Sequence, residues 1–404
     1  MRILVINGPN LNLIGTRRPD IYGTTTLDEL DEQCRHWGAD LGATVETFQS
    51  NHEGGLIDRL HAARHEFDAV VINPGALTHY SYALRDAIEA IALPTVEVHL
   101  SNVKARETWR RHSVVSDVCV ATIYGRGVDG YRAAIRHLVV RTERPVETIA
   151  YGAEPDQVGD LRLPGGTGPH PVAVIIHGGF WRDPWSRDLM DTLAVALADR
   201  GWATWNIEYR RVGGGGGWPY TFEDIGAAVD VLETFAEGHD LDLNRVVTIG
   251  HSAGGHLALW AAARPRLPAD APGADPTVVP VAAVGLAPIP DLMTAHRLGL
   301  GSDAVEAFLR RSPDAGDGRY ATASPAELLP LGTRILLVHG DADDAVPAVM
   351  SREFAGRAAD AGDTVILLEL EEVDHMALIE PRSSAWPRVI DEIDALSGRP
   401  AGDD

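Results

Sequence analysis

The sequence predicts two α/β domains in series, each built on a largely parallel sheet. Three observations carry this expectation. Short apolar runs rich in β-branched residues alternate with helical patterns along the whole chain. The 404 residues exceed what one hydrophobic core usually organises. Two sets of chemistry-bearing motifs lie far apart: Asn7-Gly8-Pro9-Asn10-Leu11 with Glu97 to Asn102, and His177-Gly178-Gly179 with Gly250-His251-Ser252-Ala253-Gly254. Domains at 1–142 and 146–397 follow, joined by only about four to six residues that span little more than about 20 Å.

In the first half, the runs Ile3 to Ile6, Val45 to Phe48, Ala69 to Ile72, Thr95 to Val98 and Val118 to Ile123 are bounded by Gly, Pro or Asn. They read as five buried parallel strands. The clearest helix between them places Leu27, Leu30, Cys34, Trp37 and Leu41 at spacings of three and four, opened by the capping box Thr26 to Glu29. Strand and helix in regular order make a doubly wound, flavodoxin-like five-stranded parallel sheet. Ligands of such sheets bind beyond the carboxyl ends of the strands. Asn7 to Asn10, Asn73 to Ala76 and His99 to Asn102 should therefore share one crevice.

Composition narrows the classes of function. With 45% hydrophobic and 23% charged residues the chain is an ordinary globular one. The net charge of −23 argues against a nucleic-acid partner. Against that background the clusters Arg17-Arg18 and Arg106, Arg110, Arg111 point to a place where a small anion is received, with solvated surface charge as the alternative. The apolar run at the start is too short for a signal-peptide core, so a cytoplasmic protein without membrane attachment is expected. Cys34 and Cys119 lie among apolar residues and exclude a disulfide framework, and no Cys/His grouping reads as a metal site.

Taken together, Asn7 to Asn12, Gly15-Thr16-Arg17-Arg18-Pro19 with Tyr22-Gly23, Asn73-Pro74-Gly75-Ala76 with Thr78-His79, Arg85-Asp86, Glu97 to Asn102, and Ala105-Arg106-Glu107 with Arg110 resemble the type II 3-dehydroquinate dehydratases. The resemblance covers residues 1 to 140 in the family's order and spacing. It implies a cofactor-free lyase of the shikimate pathway that dehydrates 3-dehydroquinate to 3-dehydroshikimate through an enolate. By the same resemblance Tyr22 is the base, with Arg17 the cation that favours its phenolate. Asn10 orients an enolate-stabilising water, and His99 is the acid that Glu97 orients and keeps charged. The backbone amides of Leu100 and Ser101 receive the substrate carboxylate, while Asn73, His79 and Arg110 bind the ring hydroxyls. Asp86 acts near a subunit boundary, and the family's trimers assemble into dodecamers, so a homo-oligomer is implied.

In the second half the strand signals are Val146 to Tyr151, Val172 to Ile176, Ala203 to Ile207, Val246 to Ile249, Val281 to Leu286, Ile335 to Val338 and Val365 to Leu368. Leu189 to Arg200 and Ile225 to Phe235 read as helices between them. Gly250 to Gly254 is a nucleophile elbow, whose small residues permit a sharp strand-to-helix turn that presents Ser252. Asp343 and His375 follow in the chain order of an α/β-hydrolase triad, His375 taking the serine proton and Asp343 holding its imidazole. Asp341, Asp344 and Asp374 compete for that last role, and the spacing to Val346-Pro347 favours Asp343. Gly178 or Gly179, with the N–H of Ala253, should form the oxyanion hole.

Residues 146 to 397 resemble the esterase and formamidase branch of the α/β-hydrolases, with His-Gly-Gly-Phe-Trp at 177 to 181 close to the pattern of kynurenine formamidases. The motifs specify acyl transfer to water and leave the ester or amide open. Residues 287 to 328, with a helix around Val305 to Arg311, read as a small cap. Phe180, Trp181, Trp185 and Trp218 line an aromatic pocket or belong to the core. The sequence supports a lyase fused to a serine hydrolase. It also leaves open a hydrolase on an oligomerising scaffold, a noncatalytic hydrolase-fold interaction domain, and a hydrolase that processes an ester related to the lyase substrate.

Overall fold

The computed structural model describes residues 1–143 and 146–397, apart from the side chains of Asp20 and Glu143. The chain divides into two compact units, Met1–Glu143 and Arg144–Asp404. The expected join around Arg144 and Pro145 lies outside the described residues.

The first unit alternates β1 (Arg2–Asn7), α1 (Pro19–Tyr22), α2 (Leu27–Asp40), β2 (Thr44–Gln49), α3 (Glu53–Ala63), β3 (Ala69–Asn73), α4 (Tyr82–Ile91), β4 (Thr95–His99), β5 (Ala121–Tyr124) and α5 (Asp129–Glu143). The strands form one parallel sheet in the order β2-β1-β3-β4-β5. Helix α2 forms as its sequence dictates. The Thr26 hydroxyl accepts from the Glu29 amide, and the Glu29 carboxylate accepts from the Thr26 amide. Its stripe of Leu30 and Cys34 is buried against the sheet, with Leu27, Trp37 and Leu41 packed around it.

Two expectations shift here. Ser116–Val118 is a 3-10 turn, so the fifth strand begins only at Ala121. Val118 and Cys119 are apolar because they pack under α3 and α4, not because they pair in the sheet. With Gly15, Pro19 and Gly23 around it the segment from Arg17 to Tyr22 reads as a loop from sequence, yet it contains the single turn of α1, with Arg18 left-handed (φ 48°) before it.

The second unit has one eight-stranded sheet, in the order β13-β12-β11-β10-β8-β9-β7-β6. Its strands are β6 (Glu147–Ala150), β7 (Val158–Arg162), β8 (His170–Ile176), β9 (Ala203–Ile207), β10 (Leu241–His251), β11 (Ala282–Leu286), β12 (Arg334–Gly340) and β13 (Thr364–Leu370). The helices are α6 (Asp191–Asp199), α7 (Tyr220–Asp230), α8 (Leu232–Phe235), α9 (Ala253–Ala263), α10 (Leu292–Arg297), α11 (Ala304–Leu309), α12 (Arg319–Ala323), α13 (Val349–Asp360) and α14 (Trp386–Asp394). Strands β8 to β13 are parallel, while β6 and β7 join antiparallel at one edge. The core lies on both sheet faces, with α7, α9 and the cap helices on one and α6 and α14 on the other.

Strand β7 is absent from the sequence reading. Gln157-Val158-Gly159-Asp160-Leu161-Arg162 has no apolar run, because two charged side chains are buried in it. Asp160 accepts from Thr148 Oγ1 at 2.6 Å and from Arg187 Nε at 3.0 Å, and Arg162 pairs with Asp191 at 3.2 Å. These partners offset the desolvation of charges that would otherwise forbid a buried strand.

Close backbone approach fixes where the first unit's loops sit. The amide of Gly8 donates to the Asn73 carbonyl at 2.8 Å, and a methyl group at Gly8 would lie 2.6 Å from the carbonyl oxygen of Pro74. Gly8→Ala should therefore destabilise this unit by about 1–3 kcal/mol through overpacking. The check is a lowered urea midpoint for its transition in the full-length chain; an unchanged midpoint would refute the steric argument.

Candidate active sites

In the first unit, one cleft of about 650 Å³ opens at the carboxyl ends of β1, β3 and β4. Its lining includes Asn10, Arg17, Tyr22, Asn73, His79, His99, Leu100, Ser101 and Arg110, so nine predicted positions meet in one place. Asn10 holds a left-handed conformation (φ 67°) fixed by its amide donating to Asn51 Oδ1 at 2.8 Å. Glu97 lies beneath the cleft. Asp86 does not line it; this carboxylate is exposed and faces Arg85 at 3.5 Å.

Beneath His99 the sheet buries a complete carboxylate. Glu97 Oε1 lies 2.7 Å from His99 Nε2. Thr78 Oγ1 donates to the same oxygen, Ser113 Oγ reaches Oε2 at 3.0 Å, and Thr122 Oγ1 adds a contact at 3.3 Å. Burial pushes this carboxyl up, but the His99 contact and the Thr78 and Ser113 hydroxyls outweigh it, leaving the group below its ordinary range.

Around Tyr22 two arginines converge. The Arg17 guanidinium lies over the ring face, 5.6 Å from its centroid. The phenol oxygen is met by Arg106, whose Nη1 donates at 2.9 Å and also lies 3.4 Å from Ser101 Oγ. The sequence flagged Arg106 in a basic cluster and in the Ala105-Arg106-Glu107 stretch of the resemblance, with no role of its own. His79 donates from Nδ1 to the His112 carbonyl at 2.8 Å, and its edge meets Trp109. Burial lowers its pKa. Arg110 pairs with Glu107 at 3.1 Å and lies over Trp109.

Asn73 is fixed by a relay that sequence reasoning missed. Its Nδ2 donates to Tyr131 Oη at 2.8 Å, Tyr131 donates to Asn7 Oδ1 at 2.6 Å, and Asn73 Oδ1 accepts from the Gly75 amide at 3.2 Å. Tyr131 is fully buried at the start of α5, and burial raises its pKa. The only sequence signal was a tyrosine on an otherwise apolar helical face.

In the second unit, Ser252 follows β10 at φ 57° and ψ −121°, the strained turn expected of a nucleophile elbow. Asp343 Oδ2 lies 2.7 Å from His375 Nδ1, and its other oxygen accepts from the Ala345 and Val346 amides at 2.9 and 2.8 Å. Asp343 also faces His339 Nε2 at 3.3 Å. Burial opposes the charge of Asp343, but the two imidazoles and the Val346 amide prevail and hold it well below the usual carboxylate range. Among its competitors, Asp341 caps Glu372 and Asp374 caps Met376 and Ala377. His251 donates from Nε2 to the His375 carbonyl at 2.9 Å; burial, then the neighbouring His375, push its pKa down to about 3. Among the described residues the Ser252 hydroxyl makes no hydrogen bond to the His375 ring.

Gly178 packs directly on the elbow. A methyl group there would lie 2.7 Å from the His251 carbonyl oxygen and 3.0 Å from Ser252 Cβ. Ahead of it, His177 is held by Glu208 at 2.8 Å and stacks on Tyr209, whose hydroxyl donates to the His177 carbonyl. The insertion between β11 and β12 carries α10 to α12, and Phe308 of α11 stacks on Trp181. Trp181 is thus core, while Phe180, Trp185 and Trp218 are half-buried.

Comparison with known proteins agrees with this geometry. Residues 1–139 match the family model described as Dehydroquinase class II. Catabolic 3-dehydroquinase 1 of Neosartorya fischeri is 55% identical over 138 residues, which are 34% of this chain and 92% of that protein. The chain belongs to the class II dehydroquinases. A catabolic 3-dehydroquinase of Verticillium alfalfae is 56% identical over 144 residues, 35% of this chain and 96% of its own. The dehydroquinase domain is followed by a match to the BD-FAE family over residues 160–357. A truncated carbohydrate esterase from gut microbiota (19% identity, TM-score 0.54, 62% of this chain and 95% of that one) shares the second domain's fold. So does a Thermogutta terrifontis esterase with bound propionate (22%, 0.53, 64% and 97%). The chain thus joins a class II dehydroquinase domain to a second domain of α/β-hydrolase fold.

Two predictions come from the dehydroquinase cleft. Tyr131→Phe should free the Asn73 amide and raise KM for 3-dehydroquinate about 2- to 10-fold with kcat near wild type, the value of one net hydrogen bond; a fall in kcat at constant KM would contradict this. Because the folded-state pKa of Glu97 is depressed, its contribution to stability is fully present above the unfolded glutamate value, about 4.3, and is lost as pH falls through the lowered value. Glu97→Gln should thus flatten the acid limb of the domain's stability curve, read by urea midpoints between about pH 3 and 6.

Proposed function

We propose that the lyase uses Tyr22 as its base and His99 as its acid, and that Ser252, Asp343 and His375 are the triad of a second, hydrolytic site. The observation that carries the first reading is the pairing of Arg106 with the Tyr22 hydroxyl opposite the His99–Glu97 pair across one cleft. Tyr22, its oxygen met by Arg106 and its ring faced by Arg17, removes a proton next to the substrate ketone. A water oriented by Asn10 receives the enolate charge. His99 then protonates the departing hydroxyl, and Glu97 compensates the imidazolium from which that proton leaves. The Leu100 and Ser101 amides receive the carboxylate, and Asn73, His79 and Arg110 take the hydroxyls. Neither site is assigned a cofactor or a metal.

In the hydrolase, His375 takes the Ser252 proton while Asp343 holds the imidazole tautomer, and the amides of Gly178, Gly179 and Ala253 receive the oxyanion. The acyl substrate is an ester or amide. The resemblance to a shikimate-pathway lyase implies aromatic biosynthesis, whereas the names of the dehydroquinase relatives favour a catabolic place for the lyase. Disrupting the gene would then leave growth without aromatic amino acids intact, whereas a requirement for them would restore the biosynthetic place. We place the protein in the cytoplasm as a homo-oligomer, in the family's dodecamer. Exposed Tyr82 and Asp86, one turn apart on α4, support an interface there, and mass by light scattering tests it.

Turnover of 3-dehydroquinate, followed by enone absorbance, should be present in the wild type and unchanged in Ser252→Ala. In Tyr22→Phe it should fall at least about 100-fold. Fluorophosphonate labelling should be lost in Ser252→Ala alone. An inactive wild type would make the first domain a scaffold, and an unlabelled Ser252 would make the second a noncatalytic interaction domain.

A further inference from the structure

One buried histidine of the hydrolase domain has no part in the triad, and it joins three segments that meet at the elbow. His256 lies one turn into α9, its amide donating to the Ser252 carbonyl at 3.1 Å. The Trp181 indole nitrogen lies 3.1 Å from His256 Nδ1, and His256 Nε2 lies 2.8 Å from the carbonyl of Ala323, at the end of cap helix α12. An indole N–H can only donate and a carbonyl can only accept. The ring is therefore neutral with its proton on Nε2, the one state that satisfies both neighbours. Burial pushes its pKa down to about 4, in agreement.

What this ring secures is strained. Phe180 and Trp181 are consecutive non-glycine residues at φ 51° and 57°, after Gly179 at φ 107°. Such conformations cost energy and persist only where their surroundings over-determine them. The Trp181 carbonyl accepts from the Val212 amide at 2.8 Å, the Arg182 amide closes a turn onto the Gly179 carbonyl at 3.0 Å, and the indole lies parallel to Phe308 at 4.6 Å. Gly178, two residues before the strained pair, is the residue packed on Ser252.

We propose that His256 is a positioning residue that holds the strap 177–181, through the Trp181 indole, so that its glycine amides face the Ser252 oxyanion, and that it ties this strap to the cap. The inference rests on the hydrolase reading above and deepens it. Trp181 and His256 act as one unit, so removing either partner should have the consequence of removing both.

The test uses the full-length chain with p-nitrophenyl acetate as probe, and 3-dehydroquinate turnover by the same molecule as an internal count of folded protein. Wild type should hydrolyse the ester and be labelled by fluorophosphonate. His256→Leu and Trp181→Phe should each lower kcat roughly 10- to 100-fold with KM within about twofold, a fraction of the loss of an oxyanion donor. The double variant should be no slower than the slower single. His256→Gln, whose amide oxygen accepts and nitrogen donates, should recover most of the rate. Nitrogen NMR of labelled histidine, which does not depend on activity, should show the Nε2–H tautomer. Multiplying effects, an unchanged kcat, no rescue by glutamine or an Nδ1–H tautomer would each overturn the proposal. If His256→Leu does not fold, Trp181→Phe and the NMR spectrum decide it. A wild type that neither hydrolyses nor labels would instead fell the hydrolase reading and the inference with it.

Discussion

Parallel register is the constraint on which both sites depend. In the first sheet Asn7 pairs with Asn73, Ile72 with Glu97, and His99 with Tyr124. In the second, Ile176 is level with Gly250, which is level with Gly285. Parallel strands end at one edge of their sheet, so side chains far apart in sequence arrive together without any long loop carrying them. The residues at those ends can then be small or strained, such as Gly8, Asn10, Gly178 and Ser252, because the rigid strand ends behind them fix their positions.

Bringing polar groups to the ends of buried strands has an energetic cost, and the molecule meets it with crowded hydrogen bonding. Glu97 is fully buried and contacted by His99, Thr78, Ser113 and Thr122. Glu208 faces His177 Nε2 and accepts from the Tyr209 and Arg187 amides. Asp343 faces two imidazoles and accepts from two amides. In each case the carboxylate draws several donors at once, and it fixes the histidine ring in front of it. Removing one donor from such a set leaves charge unpaired in low dielectric and costs more than the lost bond alone.

Much of this was legible in the sequence where residue type alone dictates structure. The strand at Ala203 to Ile207 and the box Thr26 to Glu29 follow from periodicity and capping chemistry. The clefts follow from motifs at strand ends. What the sequence hid was cooperation between distant residues. Strand β7 is invisible because Asp160 and Arg162 are tolerable only with Arg187 and Asp191 beside them. Arg106 reads as one member of a basic cluster, with no role of its own, until the fold carries it 84 residues back to the Tyr22 hydroxyl. Tyr131 reads as core, and it is core, yet its hydroxyl sets which way Asn73 faces. Trp181, equally consistent with pocket or core, resolves as core through Phe308 and His256.

The histidines show how a partner decides a role. His99 and His375 each have a carboxylate against one ring nitrogen, so a proton gained at the other produces a charge that the fold already compensates. His251 and His256 have backbone carbonyls in that place, at 2.9 and 2.8 Å, and burial holds both neutral. A carbonyl oxygen fixes a tautomer but carries no net charge to stabilise an imidazolium. The same side chain is therefore suited to proton transfer in one setting and to rigid connection in the other. Sequence motifs do not distinguish the two kinds: Gly-His-Ser-Ala-Gly-Gly-His at 250 to 256 holds two of the connecting kind and Asp374-His375 one of the other, and the distinction is made by what the fold sets against each ring.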